Sequence, residues 1–151
     1  MIDIFFSYAH EDEALRNELA KQLKLMKRQG LINEWYDRDI DAGTEWKQVI
    51  DEHLNTAQVI LLLVSPDFLD SDYCYETEMK RAMERHEARE ARVIPVILRS
   101  CDWYSAPFGK LQALPRNAKP ITTWSNRDDA FLDVAKGIRK VVEDMRLTSG
   151  N

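Results

Sequence analysis

The chain has 151 residues, of which 44% are hydrophobic and 31% charged, so it is long enough for one globular domain with a buried core. Its net charge is −5 and its lysines and arginines are spread along the sequence, so we expect no nucleic-acid surface and no membrane surface. Two cysteines without metal-ligand spacing, no signal peptide and no bilayer-length apolar run lead us to expect a cytoplasmic protein with no metal site.

The first strand is predicted at residues 2–6, which are mostly apolar. A hydrophilic turn and a helix with leucines at helical spacing follow it, which is the first unit of an α/β fold. Ser7, His10 and Asp12 are therefore expected at the carboxyl edge of the sheet, where α/β folds bind ligands. Asp12 can also serve only to stabilise the helix N-terminus.

The second unit contains a distinctive loop. Residues 31–36 predict a strand, and the loop at residues 37–43 is rich in acids and ends in glycine, so we expect it to be exposed and mobile. Thr44 is predicted to cap the next helix, with Trp46 on the packing face of that helix.

The third unit carries the candidate chemistry. Residues 57–64 predict a strand buried on both faces, and the helix after it is predicted to start at Asp70 or Ser71. At about 100° per residue, Tyr75, Met79, Ala82 and Met83 form an apolar stripe that is predicted to lie on the sheet, with Glu78 at one edge of it and Glu76 at the opposite edge. A partly desolvated carboxylate has a raised pKa and is useful in a cleft. Spacing alone favours the simpler interpretation, in which Glu78 is one more acid of a charged helix.

The remaining strands complete the predicted sheet. Residues 93–98 predict a fourth strand, and Pro95 within it indicates a position near the sheet edge or beside a bulge. A long connection, which we expect Trp103, Tyr104 and Phe108 to anchor, leads to a short fifth strand at 119–124 and a final helix. We therefore predict an α/β, flavodoxin-like, doubly wound sheet of five parallel strands in a single domain. The domain is predicted to span 1–146, with 147–151 as a tail or the start of a linker.

Several known sites are excluded by their missing motifs. No glycine-rich phosphate loop follows the first strand, no Gly-x-Ser-x-Gly elbow is present, and the clustered aspartates of phospho-receiver domains are absent. Cys74 has no histidine placed to activate it, so we interpret it as a small buried thiol.

Three segments resemble the conserved boxes of Toll/interleukin-1 receptor (TIR) domains, most closely those of the bacterial branch. Residues Ile2-Asp-Ile-Phe-Phe-Ser-Tyr8 resemble the first box, and Tyr36-Asp-Arg-Asp-Ile-Asp-Ala-Gly43 resembles the second box, or BB loop. Residues 65–78 resemble the Ser, Trp/Tyr-Cys and Glu pattern of the third TIR helix. The three motifs occur in the family's order across nearly the whole chain.

Two positions depart from the family pattern. The Phe-Trp pair of the animal third box is replaced by Phe131-Leu132, which disfavours receptor-type adaptor signalling. In many relatives the glutamate stands three residues after the cysteine, where this chain has Thr77. Glu76 and Glu78 flank that position, and both the helical-edge argument and the following Met79 favour Glu78.

The resemblance implies cleavage of the nicotinamide–ribose bond of NAD⁺, giving nicotinamide and ADP-ribose or cyclic ADP-ribose. NAD⁺ is then the substrate, and no cofactor or metal is required. Glu78 is the implied catalytic residue, because an anion stabilises the oxocarbenium character of the transition state. The implied substrate-binding residues are Ser7, Tyr8, Asp37, Arg38, Trp46, Ser71 and Tyr73.

The resemblance also implies homotypic TIR–TIR assembly, with loop 37–43 reaching a neighbouring molecule, and a role in antiviral defence. A sensor domain in a longer parent chain would fit the ending Thr148-Ser-Gly-Asn151. Two alternatives stay open: a non-catalytic TIR–TIR interaction module, and a nucleoside deoxyribosyltransferase of related fold. Release of nicotinamide from NAD⁺ separates the enzyme from both.

Overall fold

A computed structural model describes residues 1–35 and 43–150. Its described part contains one parallel sheet of four strands in the order β2-β1-β3-β4. The strands are β1 (Ile2–Ser7), β2 (Ile32–Trp35), β3 (Val59–Val64) and β4 (Arg92–Ile97). Because β1 and β3 are the inner strands, their carboxyl ends lie side by side at the middle of one edge.

Helices connect the strands. They are α1 (Glu13–Gln22), α2 (Lys24–Arg28), α3 (Trp46–Thr56), α4 (Pro66–Asp70), α5 (Lys80–Glu87) and α6 (Arg127–Gly150). Between α4 and α5, residues Tyr73–Met79 form a π-helical segment, which we call the wide turn. The connection from β4 to α6 contains the 3₁₀ turns Pro107–Lys110, Arg116–Ala118 and Ile121–Thr123.

The core lies on both faces of the sheet. Every residue of β3 is fully buried, as the continuous apolar run at 57–64 predicts for a central strand. Alternate residues point to two different clusters: Leu61 packs with the α1 and α6 side chains, and Leu62 packs with those of α3 and α5. Helices cover both faces, so the doubly wound, flavodoxin-like α/β fold is confirmed.

The prediction of a fifth strand at 119–124 is wrong, since the sheet has four strands among the residues that the structure describes. Ile121–Thr123 is a 3₁₀ turn that follows Pro120, and Pro120 has no N–H group for a ladder. Leu114 lies beside β4 instead, donating its N–H to the Pro95 carbonyl and accepting from the Ile97 N–H. The expectation that Pro95 lies near the sheet edge is confirmed.

Other predicted boundaries also change. The helix starting at Asp70 or Ser71 is preceded by a separate α4, whose N-cap is Ser65, because the Ser65 hydroxyl accepts a hydrogen bond from the Phe68 N–H. Residues 147–150, predicted as a tail or the start of a linker, continue α6. Tyr104 is not an anchor: it is 75% exposed and stacks on buried Trp103.

Arg85 joins α5 to the end of α3. Its side chain is only 5% exposed, and its Nη1 atom donates hydrogen bonds to the carbonyls of Leu54 and Ala57. These carbonyls lie at the C-terminus of α3, where helical partners run out. The guanidinium therefore satisfies buried acceptors and also places a cation at the negative end of the helix dipole.

We expect Arg85→Met to lower the free energy of unfolding by roughly 3 kcal/mol, because it leaves two buried carbonyls without their donor. Urea denaturation measures the change. Arg92→Met, at an exposed position on β4, is the matched control and is expected to be nearly neutral. Equal effects of the two substitutions would contradict the anchoring role of Arg85.

Candidate active site

The centre of the candidate site is a hydrogen bond between β1 and the wide turn. Ser7, the last residue of β1, is fully buried, and its Oγ atom donates to Oε1 of Glu78 over 2.7 Å. Glu78 is only 6% exposed. A hydrogen bond from a hydroxyl to an ionised carboxylate is stronger than one between two neutral groups. The bond from Ser7 therefore offsets part of the free-energy cost of burying the acid.

The two candidate glutamates have different surroundings. Glu76 is exposed and forms an ion pair with Lys80, one helical turn on, with 2.7 Å between Oε2 and Nζ. The hydrogen bond to Glu76 raises the pKa of Lys80. Exposed pairs of this kind add little stability. Of the two acids, only Glu78 lies at the carboxyl end of β1. This is the edge of the sheet where the sequence predicts the ligand site.

An aromatic pair brings two predicted site residues together. The rings of Trp46, at the start of α3, and Tyr73, at the start of the wide turn, are 5.6 Å apart and meet edge to face. Trp46 is 56% exposed, so the expectation that it lies on the packing face of its helix is wrong. Its indole is a wall open to solvent rather than part of the core.

The other predicted residues occupy supporting positions. Tyr8 is buried beside Ser7, and the Arg16 guanidinium lies 5.3 Å from the centre of its ring. The Ser71 hydroxyl accepts a hydrogen bond from the Cys74 N–H over 3.1 Å, which caps the wide turn. Asp37 and Arg38, with the rest of loop 37–42, lie outside the described residues.

A polar network at the same edge was missed by the sequence argument. Asp12, only 2% exposed, accepts a hydrogen bond from the Ser65 hydroxyl and another from Arg99 Nε at 2.9 Å. Arg99 also binds the carboxylate of Asp67 in α4. Burial disfavours the charged guanidinium, but the hydrogen bonds to Asp67 and Asp12 outweigh burial and raise the pKa of Arg99.

The network ties together the segments that follow β1, β3 and β4. Taken by itself, Asp12 could be interpreted as an acid that stabilises a helix N-terminus. Nothing in the sequence distinguishes Arg99 except its position directly after a buried strand. That position is the signal that could have identified it, because the carboxyl ends of parallel strands converge. Within residues 1–35 and 43–150, no cluster of three or more His, Cys, Asp or Glu side chains is arranged to hold a metal ion.

With the geometry established, the chain can be placed in a family. The family model for the TIR domain matches residues 4–134, and the match is of the bacterial type, so the chain belongs to the TIR domain family. In the described part of the chain, no helix has the length and apolar character needed to cross a membrane.

Two solved structures have a similar fold. The TIR domain of the Toll-related receptor TRR-2 from Hydra magnipapillata superposes with a TM-score of 0.66 and 18% identity, covering 95% of this chain and 99% of that one. The TIR domains of the activated Roq1 resistosome, which directly recognises the pathogen effector XopQ, superpose with a TM-score of 0.57 and 16% identity, covering 96% and 99%. At these identities the similarity shows the fold alone.

A relative in Sinorhizobium fredii, the uncharacterized protein y4lF, is 60% identical over 140 residues. The alignment covers 93% of this chain but 43% of the relative. The chain therefore spans less than half the length of the curated relative that it matches.

We expect Ser7 and Glu78 to be energetically coupled. A double-mutant cycle of Ser7→Ala and Glu78→Gln, measured by urea unfolding, is predicted to give a coupling of about 1–2 kcal/mol, because each substitution weakens the same buried hydrogen bond. Ser7→Ala combined with Glu76→Gln is the control cycle and is expected to be additive. Additivity in both cycles would show that the bond contributes nothing to the folded state.

Proposed function

We propose that the protein is an NAD⁺ glycohydrolase, a TIR NADase that cleaves the nicotinamide–ribose bond. One observation carries the proposal: in a chain of the TIR family, the Glu78 carboxylate is buried against Ser7 at the carboxyl edge of the sheet. Ligands of open α/β folds bind at this edge. NAD⁺ is the substrate in this proposal, and no further cofactor takes part.

The chemistry requires an anion near the anomeric carbon of the ribose. As the N-glycosidic bond breaks, nicotinamide leaves with the bonding electron pair as a neutral base, so no acid needs to protonate it. The ribose is left with oxocarbenium character, which Glu78 would stabilise as a negative charge or as a nucleophile. Addition of water, with loss of its proton, gives ADP-ribose. Addition of an adenine nitrogen of the same molecule gives cyclic ADP-ribose.

The neighbouring residues supply position rather than charge. The Ser7 hydroxyl holds Oε1 of Glu78 and so orients the carboxylate, and Tyr8 adds to the same floor. Trp46 and Tyr73 would pack against a flat ring of the substrate, with Ser71 supporting the turn that carries Tyr73. Asp37 and Arg38 would belong to the loop that covers the site.

We further propose that activity depends on assembly in the cytoplasm. Loop 37–43 of one molecule would complete the site of its neighbour, and head-to-tail contacts of this kind do not close and therefore extend into filaments. The fold shared with the TIR domains of an activated resistosome supports this proposal, and so does a relative more than twice as long, with room for a sensor domain. Antiviral defence is the proposed setting.

The alternative function is a non-catalytic TIR–TIR interaction module. The same burial of Glu78 is compatible with it, because a buried acid bound to Ser7 also fits a purely structural link between the wide turn and β1. In that case loop 37–43 would dock onto another TIR domain without any chemistry.

We expect Glu78→Gln to lower NAD⁺ turnover by roughly 10²–10³-fold, because the amide keeps the shape and the acceptor oxygen but not the charge. Nicotinamide release and product identity are measured by chromatography, on concentrated protein and on a tethered oligomer. Glu76→Gln is the matched control and is expected to keep full turnover.

Two results would count against the proposal. Full turnover by Glu78→Gln would remove the catalytic assignment, and loss of turnover in Glu76→Gln alone would transfer it to that residue. An assembled wild-type protein that consumes no NAD⁺ would leave the interaction module as the function.

A further inference from the structure

A pocket of about 550 Å³ lies between the loop at residues 116–125 and the first half of α6, and we call it the α6 pocket. Three cations line it: Arg116 and Lys119 from the loop, and Lys136 from the helix. None of its lining residues belongs to the predicted NAD⁺ site. A volume of this size is typical of sites for small molecules.

Trp124 orders two of the three cations. Its indole N–H donates a hydrogen bond to the Lys119 carbonyl over 3.0 Å, which fixes the ring against the loop. The guanidinium carbon of Arg116 lies 5.2 Å from the centre of the Trp124 ring, and Nζ of Lys119 lies 5.6 Å from it. Cations at these distances are attracted to the face of an aromatic ring. Both cations are therefore held beside one indole before a ligand arrives, which lowers the entropic cost of binding.

Asp133 of α6 fixes the backbone of the loop. Its Oδ2 atom accepts a hydrogen bond from the Arg116 N–H over 2.7 Å. Its Oδ1 atom lies 3.8 Å from Nη1 of Arg116, which is too long for a hydrogen bond. The Arg116 side chain is also 72% exposed. The carboxylate therefore serves the backbone first and neutralises the guanidinium only in part.

The two lysines have no counter-charge beside them. Counting only the residues that the structure describes, no carboxylate oxygen lies within 4.0 Å of the Nζ atom of Lys119 or Lys136. The second acid of the lining, Asp129, stands seven residues before Lys136, roughly 10 Å away along the α6 axis. The lining thus carries three positive charges against two negative ones, in a chain whose net charge is −5.

We propose that the α6 pocket binds a small phosphorylated ligand, with its phosphate groups among Arg116, Lys119 and Lys136. A phosphate monoester carries about −1.5 to −2 charges and three acceptor oxygens, so one group can accept hydrogen bonds from more than one cation. A carboxylate carries one charge and two oxygens. The site is separate from the cleavage of NAD⁺, and its test does not depend on turnover.

Binding of inorganic pyrophosphate to the full chain tests the proposal. Calorimetric titration at low ionic strength gives the dissociation constant, and the NMR signal of the Trp124 indole N–H reports the place of binding. We expect Lys119→Gln and Lys136→Gln each to weaken binding by about three- to tenfold, because each removes one charged donor. Asp129→Asn removes a like charge and is expected to tighten binding by about twofold.

The matched control is Lys47→Gln, at an exposed position of α3. This substitution removes the same charge, but α3 packs on the opposite face of the sheet from α6, so we expect an unchanged dissociation constant. Equal weakening by Lys47→Gln would show a response to overall charge alone and would overturn the site. So would the absence of saturable binding up to about 10 mM pyrophosphate. Equal affinity for citrate, a carboxylate anion, would overturn the assignment to phosphate.

Discussion

The hydrogen bond from Ser7 to Glu78 is the interaction on which the site depends. It joins the carboxyl end of a central strand to the helical segment beside it and gives a buried carboxylate a fixed donor. A buried acid without such a partner would be costly, so the strand, the wide turn and the acid stabilise one another. The Asp12–Arg99–Asp67 network joins the segments that follow β1, β3 and β4 at the same edge of the sheet.

Much of this arrangement could be predicted from local patterns. The buried apolar run at 57–64 identified the central strand, and alternation of strands with helices gave the doubly wound fold. The stripe containing Met79, Ala82 and Met83 correctly identified the buried face of the helix. Because helical periodicity is local, it also separated Glu78, at the edge of that face, from exposed Glu76.

The remaining features depend on contacts between distant segments or on irregular backbone. An α-helical period of 100° per residue cannot reveal a π-helical turn. The sequence does show that Glu78 stands four residues after Cys74, one residue more than in many relatives. The Arg99 network spans 87 residues from Asp12 and leaves no periodic signal. The predicted fifth strand is an error of the opposite kind, because a local pattern at 119–124 indicated a strand that does not form. Pro120 has no N–H group for a ladder, and Leu114 pairs with β4 instead.

The central claim is that the Glu78 carboxylate acts at the anomeric carbon of NAD⁺. The most direct measurement is a structure of the assembled protein with a non-hydrolysable carbocyclic NAD⁺ analogue. Our account predicts a Glu78 carboxylate oxygen within about 3.5 Å of the anomeric position or of the adjoining ribose hydroxyls, with a flat ring against Trp46 and Tyr73. An analogue whose ribose lies away from Glu78, with the Ser7–Glu78 bond still closed over the acid, would contradict it.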